Sequence, residues 1–315
     1  YKLDVADLLP AARWPQQIEI QAMKNFVRPR YEITTKSNGH SRIAHPNVER
    51  DDLKSDPRLA ELAGLLGKLY ILPAPILPVE RFTSIALPTP MSSGQKHLPV
   101  KAMAYDVRGK LIAEHTFGNL KRSDSVALDV TQMLSGKKLD GGYGHVELVY
   151  DFDAGKEADG WLHALFRYHD RQSGHAAETS FGAHVFNTVL TYKSEPQSYA
   201  GRAPGLSTRL FLRTAPTYDA LCHLIYPAST PWHATSDTTL VLTSNTGQEV
   251  AKKAVRIPCG GSLLWRVSEM FAEEQLKAAG PHAYVLIRDT TCRLFGYHGL
   301  VSGNEAFSLD HMFGF

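Results

Sequence analysis

The sequence predicts a mainly β protein: two tandem β-sandwich modules, of jelly-roll or immunoglobulin-like type, behind an N-terminal helix-containing extension. Three observations predict it. Short apolar runs separated by Gly- and Asn-containing turns recur over most of the chain. Blocks of the second half repeat blocks of the first in the same order. The composition is that of an ordinary globular protein, with 43% hydrophobic and 21% charged residues among 315.

The extension covers residues 1–97. Within it, "SDPRLAELAGLLGKLY" sets Leu59, Leu62, Leu66 and Leu69 on one helical face. Asp56 stands as N-cap and Pro57 at the first helical position, predicting a helix over about 56–70. Beyond it, "PAPILPVERFTSIALPTP" is punctuated by proline. Proline cannot donate to a ladder, so this stretch is expected to run extended along the module surface rather than to form central strands.

The first module is read over 98–190. "VKAMAYDVRGKLIAEHTF" is a hairpin about "DVRG", and "SVALDV" is the next strand. "VTQMLSGKKLDGGYGHVELVY" (130–150) lies over "VSEMFAEEQLKAAGPHAYVLI" (267–287) without a gap, pairing Val130 with Val267, Met133 with Met270, Leu139 with Leu276 and His145 with His282. "LFRYHDRQSG" (165–174) then matches "LFGYHGLVSG" (294–303) at six of ten positions. A third block, "ETSFGAHVFN" against "FSLDHMFGF", pairs His184 with His311. Extra residues of the first copy fall in "DFDAGKEADG", which suits a lengthened turn. Strand alternation places Phe166, Tyr168, Phe295 and Tyr297 on core faces, opposite Arg167, His169 and His298.

A connection of loop composition follows at 191–206, then the second module at 207–315. It repeats the plan: a hairpin about "SNTG", the strand "SLLWRV", and a helix from an N-cap at Ser268 to a stop at Gly280. The run "LVLTSNTGQEVAKKAVRIPCGGSLLWRVSEMF", followed by "AYVLIRDTTCRLFGYH", resembles bacterial β-sandwich modules of the sensory-rhodopsin-transducer type. The resemblance is one of pattern over about a hundred residues. It implies a sandwich that binds a small ligand or a protein, and it carries over no functional residues.

A net charge of +2 gives no electrostatic case for nucleic acid or an anionic membrane. The longest apolar run, "LYILPAPILPV", is too short to span a bilayer. Three cysteines without zinc spacing read as reduced thiols, and a cytoplasmic location is expected, with a processed or secreted form left open. Loop segments that combine aromatic, Arg and Gly/Pro residues are the candidate ligand site: Tyr199, Arg202, Arg209, Tyr226, Trp232 and His233. The alternative is a divalent metal held by His145, His169 and His184 or by His282, His298 and His311, although ligand spacing such as H-x-H is missing. Asp310-His311 could form an acid–base couple, but adjacent strand residues point to opposite faces. The leading reading is therefore a non-catalytic binding or assembly protein without a cofactor. Its partner would be a small carbohydrate-like ligand, a protein, or a second copy of the chain in a homo-oligomer.

Overall fold

A computed structural model describes residues 2–21, 29–46, 72–91, 97–155, 161–184, 207–227, 233–303 and 305–312. The helix expected over 56–70 and the connection 191–206 lie outside the described residues. The chain opens with a short helix, α1 (Val5–Leu8), capped by the Asp4 carboxylate, which accepts from the Ala6 amide. The hairpin of β1 (Tyr31–Thr34) and β2 (Ser41–Ala44) follows, its turn needing Gly39 at φ +71°.

The first set of strands is β3 (Leu72–Ile76), β4 (Phe82–Pro90), β5 (Leu98–Asp106), β6 (Leu111–Leu120), β7 (Leu128–Asp129), β8 (Gly144–Tyr150), β9 (Trp161–Asp170) and β10 (Ala176–His184). They build two antiparallel sheets, ordered β3-β8-β5-β6 and β10-β9-β4-β7. The second set is β11 (Thr208–Arg213), β12 (Asp219–Ile225), β13 (Thr238–Thr243), β14 (Glu249–Val255), β15 (Ser262–Arg266), β16 (Tyr284–Asp289), β17 (Phe295–Ser302), β18 (Ala306–Phe307) and β19 (Asp310–Met312). Its sheets run β11-β16-β13-β14 and β15-β12-β17, with β18 and β19 both on the remaining side of β17. Counted from the start of each set, the two strand orders are the same.

Two expectations are corrected at this point. The proline-rich stretch is not a surface strap, because β3 and β4 belong to the sheets of the first sandwich and β4 lies between β9 and β7. Pro73 and Pro75 sit on β3, an edge strand paired only to β8. Pro88 and Pro90 sit beyond the reach of β7, which meets β4 only at Ile85 and Ala86. One-sided pairing leaves every second residue without a required N–H, and the prolines take those alternate positions. The helix expected from Ser268 to Gly280 is also two pieces, α3 (Val267–Met270) and α4 (Glu273–Ala279), broken where Phe271 and Ala272 turn extended. Ser268 is not the cap; its hydroxyl donates to Asp219 at 2.6 Å. Gly280 does stop α4, at φ +82°. The matching helix of the first set, α2 (Val130–Met133), is capped by the Asp129 carboxylate, which accepts from the Thr131 and Gln132 amides.

The repeated LFxYH strand occupies opposite faces in the two sandwiches. On β9, Leu162, Ala164, Phe166 and Tyr168 point into their own core. On β17 the inward positions are the others: a Cβ on Gly296 would stand 2.6 Å from Leu210 Cδ1, and Leu210 belongs to the second core. Tyr297, 1% exposed, joins the first core together with Leu221, Ile225, Val301, Phe307 and Leu309. Its hydroxyl donates to the Pro73 carbonyl on edge strand β3 at 2.6 Å. Phe295 packs half-buried against the same cluster. The outer face of the β15-β12-β17 sheet thus closes the edge of the first sandwich, where β3 and β10 end their sheets. The third sequence block is displaced too. His311 lies opposite Tyr297 and Ala177 opposite Tyr168, whereas His184 lies opposite Trp161 at the far end of β9.

An ion pair between the partly exposed Arg81 and the buried Asp170 stitches the same seam. Arg81, between β3 and β4, donates from Nε to Asp170 Oδ1 at 2.9 Å and from Nη2 to the Gly303 carbonyl of the second sandwich at 3.0 Å. Burial pushes the Asp170 carboxyl up, but Arg81, the Ser173 hydroxyl and the Gln172 amide together hold it down at about 2. A native value below the ordinary 3.8 means the stabilisation is complete above about pH 4 and drains away as pH falls toward 2. In urea melts between pH 2 and 5, Asp170→Asn should flatten the acid limb; an acid limb as steep as that of the parent protein would refute this assignment.

Candidate functional site

The outer face of β9 and β10 is covered by the N-terminal segments rather than by solvent. Glu178 on β10, 5% exposed, sits at its centre. Its Oε1 accepts from Arg42 Nε of β2 at 2.9 Å and from the Arg167 guanidinium of β9, and Oε2 accepts from the Tyr31 hydroxyl of β1 at 3.2 Å. The register sets Glu178 directly opposite Arg167, so the sheet itself delivers this pair. The Arg167 guanidinium also lies 4.0 Å from the centre of the Trp14 ring, a cation–π contact from the segment before the hairpin. Burial lowers the Arg167 pKa against the pull of Glu178, and burial together with the Glu178 charge raises that of Tyr31.

Beside this cluster a cavity of about 160 Å³ opens where the hairpin, β10 and β19 meet, lined by Arg30, Ile43, Ala44, His45, Glu178, Thr179, Ser180 and Asp310. The Thr179 hydroxyl donates to Asp310 Oδ1 at 2.8 Å and stands 3.0 Å from His311 Nδ1. That nitrogen is 3.1 Å from Asp310 Oδ1. Ser180 Oγ is 3.4 Å from His45 Nδ1, and the rings of His45 and His311 meet edge to face at 6.1 Å. Asp310 and His311 therefore do touch, against the expectation from strand alternation. The reason is local: Asp310 Oδ1 accepts from the His311 backbone amide at 2.8 Å, which turns the carboxylate back along the strand. Burial pushes the Asp310 carboxyl up, but His311 and Thr179 hold it at about 2, so it is a fixed anion at neutral pH.

The remaining expected sites are dispersed. Tyr226 is 4% exposed and donates its hydroxyl to the His233 carbonyl at 3.1 Å, so it belongs to the second core and offers no stacking surface. Arg209 is exposed on β11, over the Phe211 ring. Tyr199, Arg202 and Trp232 lie outside the described residues. His145 is fully buried on β8, 3.1 Å from Glu147, and His282 is exposed in the turn before β16. His169 and His184 stand at opposite ends of the β9–β10 hairpin, about 25 Å apart at the usual strand rise, too far to share one ion. Of the second set, His298 and His311 are near each other, since His298 faces Asp310 across the β17–β19 ladder. Among the described residues no three His, Cys, Asp or Glu side chains form a metal-binding group.

Sequence reading missed most of this cavity: Arg30, Ile43, Ala44, His45, Glu178, Thr179 and Ser180. One signal was present, because "YEIT" and "SRIA" alternate around "SNGH" as hairpin strands do. No family model and no curated protein matches the chain. Among solved structures it is similar to the apo form of the Pleurotus ostreatus lectin (POL), with 10% identity over 73% of this chain and 74% of that one. The TM-score is 0.17, a superposition too loose to carry an argument about ligands. Among the described residues no helix is long and apolar enough to cross a membrane.

Proposed function

We propose that the chain is a non-catalytic binding or assembly protein built from a duplicated β-sandwich module, with a carbohydrate or a protein as its ligand. The duplication reading is supported by the common strand order and by the paired Val130 and Val267, each buried at the start of a short helix. The function rests on one observation: the acid, base and hydroxyl of the best chemical cluster are consumed in joining β10 to β19. A hydroxyl nucleophile needs the base on one ring nitrogen and an orienting carboxylate on the other. In this cluster the Thr179 hydroxyl and Asp310 both address Nδ1 of His311, and the Thr179 proton is committed to the carboxylate. Such an array recognises and fastens; it does not transfer protons.

The test is twofold. Protein purified without an affinity tag should carry no stoichiometric zinc, iron or manganese by elemental analysis. It should also leave chromogenic ester, glycoside and phosphate substrates at the buffer rate. Turnover that disappears in His311→Ala, or bound metal that disappears in His298→Ala, would replace this reading with an enzymatic one.

A further inference from the structure

We infer that the cavity between the N-terminal hairpin, β10 and β19 is a binding site for a single neutral sugar ring. This rests on the binding-protein reading and gives it a place and a ligand class. Size is the first argument. A closed apolar cavity of about 150 Å³ takes up benzene, and this one, at about 160 Å³, opens to the surface, so a pyranose ring can enter it with part of its hydroxyl rim left in solvent.

The lining is the second. Ser180 contributes a hydroxyl, Asp310 a carboxylate and His45 an imidazole, while Ile43 and Ala44 of β2 supply an apolar wall. A pyranose has that split character: hydroxyls around its rim that donate and accept, and a face of C–H groups that prefers apolar contact. An empty polar cavity of this size holds water, and a ring bearing hydroxyls can replace that water with equivalent hydrogen bonds.

Charge supplies a third reason, because a carboxylate in the lining favours neutral ligands over anionic ones. Glu178 is neutralised by Arg42 and Arg167, and its second oxygen is taken by Tyr31. Asp310 Oδ1 already accepts from Thr179 and from the His311 amide. Asp310 keeps its negative charge and faces the cavity as an acceptor for a sugar hydroxyl, and among the described lining residues the Arg or Lys side chain is that of the exposed Arg30. The site is also composite. Its walls come from the hairpin, the first sandwich and the second, so it exists only in the assembled chain.

Titration calorimetry with a panel of free hexoses, N-acetylhexosamines and uronic acids tests the assignment, using the parent protein, Ser180→Ala and Asp310→Asn, with thermal melts as a folding check. A neutral monosaccharide should bind, and each substitution should weaken it about tenfold, the loss that one hydrogen bond of about 1.4 kcal/mol represents. Ile43→Arg, on a residue that is 67% exposed and so tolerant of change, should reduce binding without moving the melt. Sugar binding that all three variants preserve would place the ligand elsewhere, overturning the cavity assignment and leaving the binding-protein reading intact. A preference for uronic acids, or for glycine or inorganic phosphate in the same titration, would overturn the neutral-sugar class. Binding lost in the variants but accompanied by sugar turnover would support the cavity and overturn the non-catalytic reading.

Discussion

Tyr297→Ala should destabilise the protein by about 3–5 kcal/mol, the range for truncating a core aromatic. Phe166→Ala should cost a similar amount. The comparison is informative because the two residues belong to the two copies of one sequence block and hold different positions. Phe166 fills the core of its own sandwich, and Tyr297 stands on the outer face of its sheet and fills the core of the other. Tyr297→Phe should cost only about 1 kcal/mol, that of the lost bond to the Pro73 carbonyl. Urea melts followed by fluorescence and by far-ultraviolet dichroism should coincide for all three variants, because the shared core couples the sandwiches into one transition. If Tyr297→Ala left the midpoint unchanged while Phe166→Ala lowered it, the shared core would be refuted.

The second large effect is a dependence on pH. His223 on β12 is fully buried between the sandwiches, its ring edge-on to Tyr143 at 5.7 Å, and among the described residues neither ring nitrogen has a hydrogen-bond partner. Burial, reinforced by the nearby His145, lowers its pKa to about 3. Glu147 stands beside His145, and Tyr297 lies opposite His223 on β17. The unfolded chain takes up a proton near pH 6.5 that the native protein refuses until about 3, so stability falls as pH drops through that window. Each pH unit is worth about 1.4 kcal/mol per proton, which accumulates to roughly 4–5 kcal/mol. His223→Leu should remove most of this slope. It should also raise stability at pH 7, because an unpartnered buried polar group is replaced by an apolar one. A slope between pH 3 and 6.5 that the substitution leaves unchanged would show that other groups set it.

Both effects arise where the two sandwiches meet, and that junction was not legible in the sequence. Period-two alternation correctly separated Phe295 and Tyr297 from Gly296 and His298, but it could not say which face met the core of its own module. When both faces of a sheet are buried, alternation stops discriminating between them. The same ambiguity made "LFRYH" and "LFGYH" look like one structural position, and it set His184 against His311 although their registers differ.

The sequence by itself determined the β class, the hairpins about "DVRG" and "SNTG", the glycine stop at Gly280 and the burial of Phe166, Tyr168 and Tyr297. These depend on short-range physics: backbone sterics, turn chemistry and the transfer of apolar side chains out of water. Only the tertiary structure decided that β3 and β4 complete the first sandwich, since whether a proline is tolerated depends on which neighbour needs its missing N–H. Only it brought His45, Ser180 and Asp310 to one cavity, from segments 130 or more residues apart. Such convergence is set by strand order and by sheet-on-sheet packing, which link residues that no local pattern connects.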